Sequence, residues 1–279
     1  MAQPEPSPQG LDDSNLSDDG QYSDDADVIE TPDEGAGLTP ALVMEPGRAI
    51  EFLNHAELTL EGQLVDASNT TLYMRAELDG VAAAAVYKPV AGERPLWDFP
   101  DGTLAEREVA AYAVSAASGW TIVPPTVLRD GPYGRGMVQL WVDTDDTVDV
   151  RRLVRSSASV LYPLAVFDAI INNADRKGGH ILPDSAQHVY GIDHGISFHA
   201  EEKLRTVIWN WAGEPIADAE LDVLARLSRD FDQVLGTQLA DLLTTLEVRR
   251  TRQRIERLLR SCMLPQPSRN RPPVPWPPF

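Results

Sequence analysis

Cysteine is almost absent: the 279 residues contain one, Cys262. A single thiol can close no internal disulfide and build no cysteine metal cluster, so a reducing compartment such as the cytoplasm is expected. Long apolar runs are missing too. No stretch approaches the ~20 residues a membrane span requires, and the first residues lack the basic and apolar regions of a signal peptide. Basic charge is missing from one end. Residues 1–47 hold twelve Asp or Glu and no Lys or Arg, and removing those twelve from the net charge of −19 leaves −7 for everything else. Pro, Ser and Gly fill the gaps, so this segment cannot bury enough apolar surface to offset its ordering entropy and is expected to be a disordered, solvating tail. Ser14, Ser17, Ser23 and Thr31 in it are candidates for modification. So acidic a chain is not expected to bind nucleic acid.

The whole chain is 43% hydrophobic, enough for one large domain or two small lobes around a cleft. The pattern divides it into the acidic tail (1–47), a sheet-bearing lobe with one helix (48–142), a helical lobe (143–264) and a Pro-rich end (265–279). Arg271-Pro-Pro-Val-Pro-Trp-Pro-Pro favours polyproline geometry and reads as a plain extended tail.

Leu58–Val65 and Thr71–Glu77 alternate as strands, and Asp79-Gly80 turns the chain into a third, Val81–Val90. Ser68, Asn69 and Thr70 lie in the first connection, where backbone amides and short hydroxyls can donate to phosphate oxygens. The third strand ends in Val86-Tyr87-Lys88-Pro89. A lysine after a run of small apolar residues is costly to bury alone and calls for an anionic partner. Next comes a helix start, with Thr103 as N-cap and Glu106 closing a capping box, running to about Ser118 with Gly119 after it. Glu106 being occupied, Glu108 is the candidate partner of Lys88. An extended segment, Val123–Leu128, and a strand, Gly136–Val142, complete the lobe.

In the second lobe an apolar helix (Leu161, Leu164, Phe167, Ile170, Ile171) leads into a polar loop carrying Asp175. Two short apolar runs follow, Ile181-Leu182 and Val189–Ile192, the second ending on Asp193. Two carboxylates at neighbouring loop ends are the arrangement phosphoryl transfer uses, one at an acceptor hydroxyl and one on a divalent cation. Trp209 and Trp211 share one short loop and read as a core plug. Helices are expected over Ala219–Ser228, Phe231–Leu246 and Val248–Cys262. The last carries Arg249, Arg250, Arg252, Arg254, Arg257 and Arg260, a basic face that could touch an anionic membrane surface.

Asn173-Ala174-Asp175-Arg176 and Ile192-Asp193-His194-Gly195 resemble the catalytic and metal-binding loops of the phosphatidylinositol 3-/4-kinase superfamily, closest to type II phosphatidylinositol 4-kinases and HipA-type kinases. The likeness spans residues 55–215, and the whole is similar to an actinobacterial group of such sequences. Arg107–Tyr112 resembles the corresponding helix of the type II lipid kinases, which puts Glu108 at the matching position. The superfamily's phosphate loop is Ser-rich, so the missing glycine triplet is no obstacle.

The resemblance implies an α+β, bilobal protein-kinase-like fold, with a small antiparallel sheet lobe and a mostly helical lobe. It implies ATP-dependent phosphoryl transfer to an alcohol: an inositol lipid, a small molecule or a protein serine. Lys88 would hold phosphate, Glu108 would orient Lys88, Asp175 would receive or position the acceptor hydroxyl and Asp193 would hold Mg²⁺. Gln139, Leu140, Trp141 and Val142 match the hinge that meets adenine. His180 departs from the pattern. It stands where kinases have a metal-binding asparagine, and imidazole suits Mn²⁺ better than Mg²⁺; Asn172 or Asn173 could instead supply the oxygen. Three other readings stay open: a nucleotide-binding pseudokinase scaffold, a HipA-like Ser/Thr protein kinase, and a metal-dependent hydrolase built on His180, Asp193, His194 and His199.

Overall fold

The computed structural model describes residues 44–64 and 69–279. The expected acidic tail up to residue 43, with Ser14, Ser17, Ser23 and Thr31, and the expected phosphate-loop residue Ser68 lie outside the described residues.

The architecture is α+β and bilobal: one apolar core lies against a five-stranded sheet and a second among helices. The first lobe is an antiparallel sheet of β1 (Glu57–Leu64), β2 (Thr71–Leu78), β3 (Val81–Pro89), β4 (Thr126–Gly131) and β5 (Gly134–Leu140), in the order β1-β2-β3-β5-β4. Asp79 and Gly80 have φ of 52° and 76°, the left-handed pair that a two-residue hairpin turn requires, and they set Leu78 opposite Val81. A helix that the acidic composition concealed, α1 (Pro46–His55), begins inside the expected tail. It buries Ala49, Phe52 and Leu53 against the sheet. Its last carbonyls are capped from β4, where Arg129 Nη1 donates to Leu53 O at 2.8 Å and Ala56 O at 2.9 Å.

The second lobe contains α3 (Val150–Arg155), α4 (Tyr162–Ile171), the hairpin β6 (Ile181–Pro183) and β7 (Val189–Gly191), then α5 (Asp218–Asp230), α6 (Val234–Leu242) and α7 (Thr245–Ser261). Between the lobes runs α2 (Leu104–Ser118). Its Ala110, Ala111 and Val114 join the large apolar core of the helical lobe rather than the core of the sheet. Next to Glu108, Arg107 is buried and donates to Glu247 of α7 at 2.6 Å and to Ser197 O at 2.7 Å. The helix is thus fastened to the second lobe while it presents Glu108 to the first.

Two local expectations need correction. Thr103 does not cap α2: its hydroxyl donates to Pro100 O, while the Glu93 carboxylate, from the preceding loop, accepts the Leu104 and Ala105 N–H groups at 3.1 and 2.8 Å. A carboxylate satisfies two N-terminal donors where a hydroxyl would satisfy one, and its charge complements the helix dipole. The capping box is found at α7 instead, between Thr244 and Glu247. Nor is the Pro-rich end a free tail. Thr206 N–H and Trp209 Nε1–H donate to Pro273 O, and Gly178 N–H donates to Pro278 O. Trp211 meets Tyr162 edge-on at 5.1 Å beside the large core, which is the plug role expected of this loop.

Candidate active site

Strand alternation turns Tyr87 into the core of the sheet lobe and Lys88 to the opposite face. There the Lys88 ammonium meets carboxylates from two distant segments, Glu108 Oε1 of α2 at 2.8 Å and Asp193 Oδ1 after β7 at 2.9 Å. The other Glu108 oxygen accepts the His194 N–H at 2.8 Å. Burial works against the Lys88 charge, but Asp193 and Glu108 more than offset it and hold the ammonium above its ordinary range. Burial pushes the Glu108 carboxyl up; Lys88 opposes the rise and Asp193 adds to it. Burial would also raise Asp193, yet Lys88 and His180 overcome it and keep this carboxylate ionised well below the usual range. One cation between two carboxylates leaves the cluster with net negative charge, open to the cleft through Asp193, whose side chain is 42% exposed. Asp193 itself is left-handed, with φ 57°, a conformation aspartate tolerates better than most residues.

Asn172 ends α4 with φ 54° and turns the chain into the loop of Asp175. Both loop asparagines are engaged in holding it. Asn172 Oδ1 accepts the Lys203 N–H at 2.8 Å, and Asn173 Oδ1 accepts the Asp175 N–H at 2.9 Å. Both side chains are also buried, so each amide oxygen is spent at least in part on fixing the loop backbone. Asp175 is half-buried with Lys177 Nζ 3.4 Å from Oδ2. Burial raises its carboxyl, against the pull of Lys177, and Asp193 adds to the rise, which makes Asp175 a better proton acceptor than a solvated aspartate. His180 closes the short turn Gly178–His180 and brings Nε2 to 3.3 Å from Asp193 Oδ2. Burial depresses its imidazole to about 4, despite Asp193, so the ring is neutral at pH 7. Its Nδ1 is buried without a hydrogen-bond partner.

Behind this cluster lies one that composition gave no reason to single out. Asp168, on the apolar helix α4, and Arg176, next to Asp175, are both fully buried. All five guanidinium N–H groups find acceptors: Asp168 takes the Nε bond and one from Nη2, His180 O and Ile192 O take Nη1, and His194 Nε2 takes the other Nη2 bond at 2.6 Å. Because arginine only donates, His194 Nε2 must be bare and its proton must sit on Nδ1. Arg176 and His194 stand in the two loop motifs but without a role of their own, and the signal for Asp168 is an acid that interrupts the apolar face of Phe167-Asp-Ala-Ile-Ile.

Asn69 Oδ1 accepts the Arg94 N–H and Thr70 N–H donates to Gly92 O, so both are tied to the loop after β3. The Gln139 side chain donates to Thr126 Oγ1, the Leu140 and Trp141 amides donate to Pro125 O and Ala84 O, and Val142 follows two residues beyond the end of β5. The Trp141 ring packs edge-on to Tyr73 at 5.0 Å. His199 lies edge-on to Phe99 at 5.2 Å, away from His180, and His194 is committed to Arg176. Among the described residues no group of three His, Cys, Asp or Glu side chains could hold an ion, so the four-residue hydrolase site does not assemble. On α7, Arg252 pairs with Asp232 and Glu256, Arg254 and Arg257 with Glu202, and Arg260 with Glu256. Among the described residues no helix is long and apolar enough to cross a membrane.

No protein-family profile matches the chain. In fold it is similar to the crystal structure of a Helicobacter pylori proinflammatory kinase, CtkA, at a TM-score of 0.45 and 12% identity, over 74% of this chain and 92% of that one. In sequence it is 43% identical over 262 residues to Protein Rv2133c of Mycobacterium tuberculosis, a match that takes in 81% of this chain and 94% of that protein. Identity at that level over nearly the whole of the relative means common descent, and the chain belongs to the family of Protein Rv2133c.

Proposed function

We propose that the protein is an ATP-dependent phosphotransferase acting on an alcohol. The observation that carries this reading is the Lys88 ammonium held between Glu108 of α2 and Asp193 of the post-hairpin loop. That is the strand-lysine, helix-glutamate and metal-aspartate arrangement on which kinase chemistry depends. Lys88 binds phosphate oxygens and Glu108 keeps its ammonium aimed at them. Asp175 orients the acceptor hydroxyl and receives its proton. The residues present suit a divalent cation: the cluster carries excess negative charge, and Asp193 offers a hard carboxylate oxygen toward the cleft, with His180 Nε2 beside it. Mg²⁺ or Mn²⁺ bound there would neutralise charge on the phosphates of ATP.

The experiment is ATP consumption by the purified chain, with labelled ATP and cell extract supplying acceptors and mass spectrometry of the products. Turnover that disappears in Asp175→Asn supports the reading, and turnover indifferent to that change removes it. A second reading, a nucleotide-binding scaffold without turnover, is favoured by the histidine in place of a metal-binding asparagine. Saturable ATP binding with no consumption in either metal ion would select it.

A further inference from the structure

The Pro-rich end is seated beside the loop of Asp175. Residues 271–279 run over the helical lobe and are held through their carbonyls. Pro273 O accepts the Thr206 N–H at 3.0 Å and Trp209 Nε1–H at 2.9 Å, Val274 O accepts Arg205 Nη2 at 3.4 Å, and Pro278 O accepts the Gly178 N–H at 2.8 Å. The Phe279 ring lies so close over Gly178 that even a Cβ there would collide with it, and Arg151 of α3 covers the ring at 5.6 Å. Donors aimed at backbone carbonyls along a segment, with a pocket for one side chain, are how proteins grip extended peptides. Five of these nine residues are proline, which pre-extends the segment and leaves it few N–H groups of its own.

The donors border Asp175 itself. Gly178 stands three residues beyond it in the chain. Arg205 brackets the loop, its N–H donating to Asn173 O at 2.9 Å and its carbonyl accepting the Arg176 N–H at 3.1 Å. Its charge also acts on the Asp175 carboxyl. The seated segment offers nothing to phosphorylate, since no Ser, Thr or Tyr occurs among residues 269–279.

We propose that Arg151, Gly178, Arg205, Thr206 and Trp209 form an acceptor groove for an extended polypeptide, and that residues 271–279 fill it in cis as a strap that cannot accept phosphate. The proposal rests on the phosphotransferase reading above. With the strap displaced, a Ser or Thr of an unfolded protein segment enters the groove. Its hydroxyl oxygen bonds the γ-phosphorus of ATP, the bond from that phosphorus to the bridging oxygen breaks, ADP leaves with the electron pair, and the hydroxyl proton passes to Asp175. A lipid acceptor fits this surface less well, because the groove presents donors spaced for peptide carbonyls and the nearby basic helix α7 has Arg252, Arg254, Arg257 and Arg260 ion-paired within the protein.

The test gives the strap a hydroxyl. Val274→Ser, Trp276→Ser and Pro278→Ser are made singly in the full chain and incubated with ATP and Mg²⁺ or Mn²⁺, and residues 271–279 are examined by mass spectrometry while ATP consumption is followed in parallel. At least one variant is expected to gain a phosphoserine at a rate independent of protein concentration. In addition, with an unfolded Ser- and Thr-containing polypeptide, reduced and alkylated casein, supplied as acceptor, Phe279→Ala is expected to raise ATP consumption several-fold, and a free peptide of residues 271–279 to reverse the rise. If ATP is consumed but no introduced serine is modified, or modification scales with protein concentration, or Phe279→Ala leaves turnover unchanged, the strap proposal is overturned while the phosphotransferase reading stands. If wild type and Phe279→Ala both consume no ATP, it is that underlying reading that fails.

Discussion

Two clusters of charge lie back to back behind the cleft, and they are built on opposite principles. Around Arg176 the guanidinium is closed: it faces one carboxylate, both are fully buried, and each of its five N–H groups has an acceptor, while the buried His194 Nδ1–H beside it has none. Around Lys88 the balance is left open, with one ammonium serving two carboxylates and Asp193 reaching the solvent side. A closed cluster has nothing to offer a ligand and fixes geometry; an open one has negative charge to share with a cation and a lysine to share with phosphate. His194 joins them, accepting from Arg176 through its ring and donating to Glu108 through its backbone. The loop of Asp175 and the Lys88–Glu108 pair are therefore registered against one another through the interior.

The sharpest way to break the comparison is to open the closed cluster. Asp168→Ala leaves the Arg176 charge buried without its partner, which costs about 3–5 kcal/mol of stability. A denaturant midpoint read by circular dichroism is expected to fall accordingly. A midpoint within error of wild type would show that the pair is not structural. The open cluster should behave in the converse way. Asp193→Asn removes one of two competing carboxylates, so folding stability is expected to change by less than about 1 kcal/mol while ATP turnover falls roughly 10²–10³-fold. Lys88→Met is expected to lose turnover to a similar degree with a larger stability loss, about 1–3 kcal/mol, because Glu108 stays buried without its cation. Equal thermal melts for the two variants would contradict this difference.

The open cluster was legible in the sequence and the closed one was not, for a physical reason. Lys88 follows soon after a run of alanines and Asp193 ends a strand-like run, so both stand out against local pattern; Glu108 was reached through the resemblance and by setting Glu106 aside in a capping box that α2 does not contain. Asp168 and Arg176 make sense only when four segments distant in sequence meet: Thr206 Oγ1 and Asn173 Nδ2 also bond Asp168. The hairpin strands carried their own turn signal in Asp79-Gly80. By contrast, α1 was hidden by the acidic composition around it, and the cap of α2 comes from Glu93, eleven residues before Leu104 and beyond the reach of a local motif. The docking of the Pro-rich end was invisible for the same reason, since proline predicts an extended backbone but not what that backbone lies against.

Protonation sharpens the comparison at His180. Its folded value of about 4 lies below the ordinary histidine value of 6.5, because burial favours the neutral ring. Between those limits the unfolded chain binds more protons than the folded one, so this stabilisation is complete above pH 6.5 and is lost as pH falls toward 4. The side chain is only 14% exposed, so little solvent discount applies, and the contribution is at most about 3 kcal/mol. His180→Asn is expected to flatten the rise in unfolding free energy over that window, measured by urea titration in the presence of a chelator. A rise as steep as that of wild type would place the titrating group elsewhere.

The smallest expected effect concerns the metal. If Mg²⁺ or Mn²⁺ sits on Asp193 Oδ2, His180 Nε2 is near enough to join it, and a nitrogen ligand would favour Mn²⁺. Coordination through Nε2 requires the imidazole proton on Nδ1, which is buried without an acceptor, whereas histidines that bind metal firmly donate that proton to a partner. Without a metal the proton is best placed on Nε2, where it faces the Asp193 carboxylate, and Nδ1 is left as a bare acceptor. Moving it to Nδ1 would leave a buried donor unsatisfied and offset most of what a metal–nitrogen bond contributes. The ratio of Mg²⁺- to Mn²⁺-supported turnover is therefore expected to rise only by about two- to fivefold in His180→Asn, well under the full preference of a nitrogen site. A tenfold or larger shift would mean that His180 is a full ligand with a partner for Nδ1 in the nucleotide-bound protein, and an unchanged ratio would confine it to its electrostatic contact with Asp193.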